Sequence, residues 1–278
     1  MNVAILPGER VLRRAAVALL VLFLSSACDR DADESERAKG AQLRNSNGGA
    51  LDLRSDGYSV SPVANPGALV GTVKLDGEPP ATPDSISAAF KESGCPASRA
   101  KRDTQSTATG LSNAVVWIAD VESGKALPTE RRLDLASQEC ELEPRVQAAV
   151  IGSTFNVFND DRMLHRLVFI RFGTKDTLTV MPFFNSGSVV PSQRLAKSAG
   201  LIEVRCAQHP WTHAYIAVFD HPYFAVTKAD GTFRIDSMPP GSYRMMVWHQ
   251  GAAQPVERTV SVTAGGEAKV DVGIALTQ

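Results

Sequence analysis

Apolar and polar residues alternate along much of the chain from residue 66 onward, the period of a strand that buries one face. The pattern opens at 68–75, Ala-Leu-Val-Gly-Thr-Val-Lys-Leu, and stops at the turn residues Asp76-Gly77 and Pro79-Pro80. Residues 114–118, Ala-Val-Val-Trp-Ile, are apolar without a break and predict a strand buried on both faces. Further strands are predicted at 146–150, 154–158, 164–172, 178–181, 201–206 and 214–220. Beyond Pro222, segments 225–227 and 232–235 flank the hairpin pair Asp230-Gly231, and 243–248 follows the turn Pro239-Pro240-Gly241. Strands at 259–262 and 268–274 close the series. Helical periodicity is weak and marks one short stretch at 85–92. Many short strands separated by turn residues predict an all-β protein built of β-sandwiches.

The first 65 residues do not share this pattern. Arg10, Arg13 and Arg14 precede an apolar run at 15–24, which leads into Ser25-Ser26-Ala27-Cys28. The run is about half the roughly 20 residues a membrane-spanning helix needs, so it reads as an export signal. Small residues leading into a cysteine resemble the lipobox of bacterial lipoproteins. That resemblance implies a signal peptide at 1–27, acylation of Cys28 and attachment to the inner or outer membrane on the periplasmic side of a bacterial envelope. The alternative is an ordinary signal peptide with a coincidental cysteine. Residues 28–65, rich in Asp, Arg, Ser, Asn and Gly, are expected to form a flexible tether.

Charge and composition narrow the function. The 278 residues carry 29 basic and 30 acidic side chains, a net charge of −1, and 44% are hydrophobic. This suits one or two globular domains and provides no basic patch for nucleic acid. No Gly-x-Ser-x-Gly elbow, His-Glu-x-x-His or phosphate loop is present, and no enzymatic activity is expected.

The chemistry concentrates in Cys206-Ala-Gln-His209-Pro-Trp-Thr212 and in the upstream His165 of Asn159-Asp-Asp-Arg-Met-Leu-His165. In 201–206 the alternation puts Ile202, Val204 and Cys206 on one face, so the sulfur points inward. A thiolate, an imidazole after two intervening residues and a second imidazole from a distant strand are the strong ligands of a trigonal mononuclear copper site. The loop resembles that of small cupredoxins of the amicyanin and plastocyanin kind. The resemblance implies a copper fold with His165, Cys206 and His209 as ligands and an Asn near the upstream His, here Asn159, tying the ligand loops together. Thr212 stands where those proteins have their weak axial Met, and is the possible axial position. Zinc at Cys206, His209 and His213 is a lesser alternative.

Residues 224–243, with Asp230-Gly231 and Pro239-Pro240-Gly241, resemble the carboxypeptidase regulatory-like, or transthyretin-like, β-sandwich module. The order of the pieces over 67–278 resembles exported bacterial cupredoxin-like proteins, some described as methylamine-utilisation-like. Relatives often carry His where this chain has Arg145. The implied domains are a cupredoxin-like unit at 66–221 and the smaller module at 222–278, which the strand at 67–75 would complete.

An exported chain meets an oxidising compartment. With Cys28 given to lipid and Cys206 to metal, Cys95 and Cys140 are expected to pair, closing a loop worth roughly 4 kcal/mol on the chain-entropy model. Pairing of Cys206 with either of them would remove the metal site. Two functions follow. One is an envelope-anchored copper protein that transfers electrons to a redox partner protein or holds copper. The other is a non-catalytic adhesion, carbohydrate- or protein-binding sandwich without metal, whose surface would use Trp211, Tyr215, Tyr223 and Trp248.

Overall fold

The structure is a computed structural model describing residues 51–55, 57–78, 95, 106–107 and 110–277. The expected signal peptide at 1–27, Cys28 and the helix expected at 85–92 lie outside the described residues. Among those residues twenty strands follow one another. The first ten are β1 (Ser59–Val60), β2 (Gly67–Leu75), β3 (Ser106–Thr107), β4 (Gly110–Leu111), β5 (Val115–Ile118), β6 (Ser123–Gly124), β7 (Arg132–Gln138), β8 (Glu141–Glu143), β9 (Val146–Val150) and β10 (Thr154–Asn159). Then come β11 (His165–Arg171), β12 (Thr177–Phe183), β13 (Ser188–Ser192), β14 (Gly200–Cys206), β15 (His213–Phe219), β16 (Phe224–Val226), β17 (Thr232–Met238), β18 (Gly241–Trp248), β19 (Val256–Val262) and β20 (Glu267–Ile274).

Two sandwiches result, as the all-β expectation requires. The first packs a sheet of order β13-β10-β7-β8 against one of order β12-β11-β14-β15-β9. Their facing side chains, among them Leu135, Phe155, Val157, Leu167, Phe169, Phe183, Val204 and Ile216, form one core. This sandwich carries the strands β11 and β14, whose ends bear His165 and Cys206. The second packs β16-β5-β18-β19 against β17-β2-β20 around Leu69, Val116, Ile118, Phe233, Ile235, Met245, Val247 and Val272.

The sheets divide the chain differently from spans of 66–221 and 222–278. Both β2 and β5 belong to the second sandwich, β2 between β17 and β20 and β5 between β16 and β18. Strand β5 explains the unbroken apolar run. Val116 and Ile118 enter the second core, while Val115 and Trp117 join Tyr215, Ala217, Phe219, Met246 and Trp248 in a third cluster between the sandwiches. Strand β15 is the counterpart on the other side, with Ala214, Ile216 and Val218 in the first core.

The expected tether is anchored before residue 65. Leu51 and Leu53 are buried in the cluster between the sandwiches, the Ser55 amide donates to Asp220, and β1 pairs with β6. Strands β7 and β13 escape the alternation reading for a physical reason. The inward side of β7 includes Ser137, buried because its hydroxyl donates to Asp161, and β13 is an exposed edge strand interrupted by Pro191.

Two buried histidines make the fold acid-sensitive. Burial pulls His221 down to about 4 against an opposing effect of Asp220, and burial together with nearby Arg145 pulls His249 to about 4. A histidine with a depressed native pKa contributes stability above its unfolded value near 6.5 and loses it as pH falls towards 4. Each is worth on the order of 3 kcal/mol across that window. Guanidinium unfolding midpoints should therefore drop from pH 7 to pH 4.5, and His249→Gln should flatten part of the drop. An unchanged midpoint across that range would contradict this account.

Candidate metal centre

The centre lies where β11 begins and β14 ends. The two strands are antiparallel neighbours with Leu167 opposite Cys206, which brings His165, at the start of β11, to the mouth of the loop after Cys206. The loop is fastened at each end. The Ala207 amide donates to the Arg166 carbonyl at 2.9 Å, Cys206 N to Thr212 O at 3.0 Å, and Thr212 N to His209 O at 2.9 Å.

Three donor atoms meet inside this frame. Cys206 Sγ lies 3.5 Å from His165 Nδ1 and 3.4 Å from His209 Nδ1, and the two nitrogens are 3.2 Å apart. All three residues are buried, His165 completely. The point equidistant from the corners of such a triangle is about 1.9 Å from each, so a shift of a few tenths of an ångström would give the roughly 2.0–2.1 Å of imidazole nitrogen and roughly 2.3 Å of thiolate sulfur on a first-row metal such as zinc. The donor set fits a first-row transition metal in a trigonal arrangement.

Asp161 is the residue the sequence reading overlooked. Its Oδ2 is 2.9 Å from His165 Nε2, so for a neutral ring Nε2–H donates to the carboxylate and Nδ1 is left with its lone pair towards the other ligands. The same carboxylate accepts from the Glu139 amide at 2.6 Å, the Cys140 amide at 3.0 Å and Ser137 Oγ at 3.1 Å. Its signal was present as an Asp four residues before the ligand His. Residues 139 and 140 form the two-residue loop joining β7 to β8, both in left-handed conformation with φ of 53° and 63°. That conformation suits a type I′ hairpin but is costly without glycine, so the carboxylate that captures both amides stabilises the turn as well as the ligand.

Electrostatics favour an ionised pair. Burial pushes the Cys206 thiol up, but hydrogen bonds from His165 and His209 and backbone hydrogen bonds at Arg166 and Gln208 outweigh it and bring it to about 5. Burial likewise disfavours a charged His165, yet its bonds to Asp161 and Cys206 raise it to about 9. Burial raises the Asp161 carboxyl, and the bonds from His165, Cys140 and Ser137 overcome this and hold it below its ordinary range. The metal-free centre therefore holds a thiolate beside an imidazolium near neutral pH. A metal ion arriving there meets a thiolate already formed and displaces the proton on His165 Nδ1.

Other expected residues fall into place around this core. Cys95 and Cys140 form a disulfide, and Cys206 is a free, buried thiol. The Thr212 hydroxyl donates to the Cys140 carbonyl instead of standing free as an axial donor. Asn159 braces its own loop, donating to Met163 O and Asn185 O and accepting from Asp161 N. The two ligand segments are instead joined through Ala207 and Arg166. His213 leaves the cluster altogether, its Nε2 sitting 2.5 Å from Arg145 Nη2. Tyr215, Tyr223 and Trp248 are buried interior groups, and Trp211, half-buried, packs on the Cys95–Cys140 pair, so the four do not form an exposed stacking surface.

Comparison with known proteins gives partial matches. Residues 203–276 match the carboxypeptidase regulatory-like domain. A probable rhamnogalacturonate lyase A from Aspergillus flavus is 31% identical over 112 residues, which is 39% of this chain and 21% of that protein. This chain thus spans about a fifth of that relative's length. Among solved structures, a purple cupredoxin from Nitrosopumilus maritimus covers 31% of this chain and 98% of its own, at 18% identity and a TM-score of 0.27. Amicyanin from Paracoccus versutus covers 33% of this chain and 84% of its own, at 15% identity and a TM-score of 0.27. A copper-containing nitrite reductase from Thermus scotoductus covers 37% and 25%, at 18% identity and a TM-score of 0.29.

Proposed function

We propose that this chain is a non-enzymatic copper protein of the cell envelope, which holds one copper ion on His165, Cys206 and His209 and passes electrons to a partner protein or keeps copper in store. The observation that carries the reading is the buried triangle of one sulfur and two nitrogens with edges of 3.2–3.5 Å. Bound copper would supply one-electron exchange, since a trigonal thiolate and bis-imidazole set suits both of its oxidation states. The residues do the rest. Cys206 offers a thiolate without prior deprotonation, Asp161 orients His165, and the core behind Cys206 limits access of water. The Thr212 hydroxyl is given to the Cys140 carbonyl, so Thr212 would leave the holding of copper to His165, Cys206 and His209. Titration of the purified chain with Cu(II) tests the reading. One equivalent should bind with a thiolate charge-transfer band in the visible region, and absence of stoichiometric uptake would overturn it.

The envelope location rests on the sequence before residue 29. Cys28→Ala is expected to move the protein from the membrane fraction to the soluble one. Retention of that variant with membranes would refute lipid anchoring.

A further inference from the structure

A second group of ligand atoms adjoins the first. The sulfurs of Cys95 and Cys140 and a ring nitrogen of His209 all lie within 4.8 Å of one another, and all three residues are buried. His209 is common to both groups. A third sulfur is at hand, because Met163 Sδ is 3.3 Å from Cys140 Sγ. In the oxidised protein the two cysteine sulfurs are spent on each other and cannot ligate.

We propose that the Cys95–Cys140 disulfide is a redox switch on the metal centre, and that its reduction creates a second, sulfur-rich site for Cu(I) made of Cys95, Cys140 and His209. The inference rests on the copper reading only through the shared His209. Reduction by a dithiol proceeds by exchange. A thiolate attacks one sulfur of the pair, the mixed disulfide is resolved by the second thiol, and the products are two cysteine thiols and the oxidised dithiol. Two electrons and two protons pass to the protein. Binding of Cu(I) then displaces the thiol protons, and soft thiolate and thioether donors favour that ion over harder divalent ones.

What makes this site more than a broken disulfide is that Cys140 keeps its place without the S–S bond. Its amide is held by Asp161 and its carbonyl by the Thr212 hydroxyl. Asp161 also holds His165, and Thr212 belongs to the loop that carries His209. Cutting the disulfide frees the Cys140 thiol, beside His209, on a scaffold already fixed by the first site. The two sites compete for one imidazole, so the redox state of the pair decides which of them holds metal.

The test uses the full chain carrying Cys206→Ser, which removes the thiolate of the first site. Cu(I), kept reduced with ascorbate, is titrated in competition with a chromophoric chelator, before and after cleavage of the disulfide by a water-soluble phosphine. In that cleavage phosphine, water and disulfide give phosphine oxide and two thiols. The oxidised variant should take up no Cu(I) from the chelator and the reduced one should take up one equivalent. Adding His209→Ala should weaken the reduced form at least tenfold. No uptake after reduction would overturn the proposal. So would equal uptake with and without His209, since two thiols on an unfolded chain would do the same. Failure of the first site is read separately, as an oxidised wild-type chain that binds no Cu(II).

Discussion

Cys206→Ser is expected to abolish tight Cu(II) binding by the disulfide-intact chain and with it any visible charge-transfer band, while leaving the fold in place. The substitution keeps size and hydrogen bonding at a buried position on β14 and removes only the soft anionic donor. Loss of a residue that merely orients a ligand costs about ten- to a hundredfold in affinity, so loss of the thiolate itself should exceed about a hundredfold. His165→Ala should have an effect of the same order, because the remaining pair cannot define a trigonal site. Metal content by mass spectrometry and thermal melting of each variant check this. A disulfide-intact Cys206→Ser chain that still retains stoichiometric Cu(II) would show that the metal sits elsewhere.

The second large effect is expected at Asp161, through two structures at once. The carboxylate accepts from the His165 ring, from the amides of Glu139 and Cys140 and from Ser137. Asp161→Ala should lower copper affinity about ten- to a hundredfold by freeing the His165 ring. It should also destabilise the metal-free protein by about 2–4 kcal/mol, since charged hydrogen bonds at a partly buried site are lost and a left-handed turn is left unsupported. Asp161→Asn, which keeps one acceptor oxygen, should be milder in both respects. A fall in melting temperature with unchanged copper affinity would mean that Asp161 serves only the hairpin.

The contrast between Cys206 and Asp161 shows what the sequence could and could not convey. The direction of Cys206 followed from a period of two within one strand, and the proximity of His209 from a loop of two intervening residues. Both are local facts. The ties of Asp161 to Glu139 and Cys140 depend on a hairpin more than 20 residues away, whose left-handed loop is formed by Glu and Cys where Asn-Gly would have announced it. Thr212 is a similar case. Its place in the loop suggested the axial side of a metal, but the nearest acceptor for its hydroxyl is a carbonyl on that same distant hairpin. The apolar run at 114–118 predicted burial on both faces, yet not that the second face of β5 would meet a cluster shared with the other sandwich. Which strands share a sheet is set by tertiary pairing: the strand at 67–75 is expected to join the C-terminal module, and β2 lies between β17 and β20, whereas nothing local marks β5 as the partner of β16 and β18.

The most direct test of the copper assignment is X-ray absorption at the copper edge of the Cu(II)-loaded, disulfide-intact protein. The account predicts one short copper–sulfur contact from Cys206 and two imidazole nitrogens from His165 and His209. A copper surrounded only by nitrogen and oxygen, with no sulfur neighbour, would contradict it.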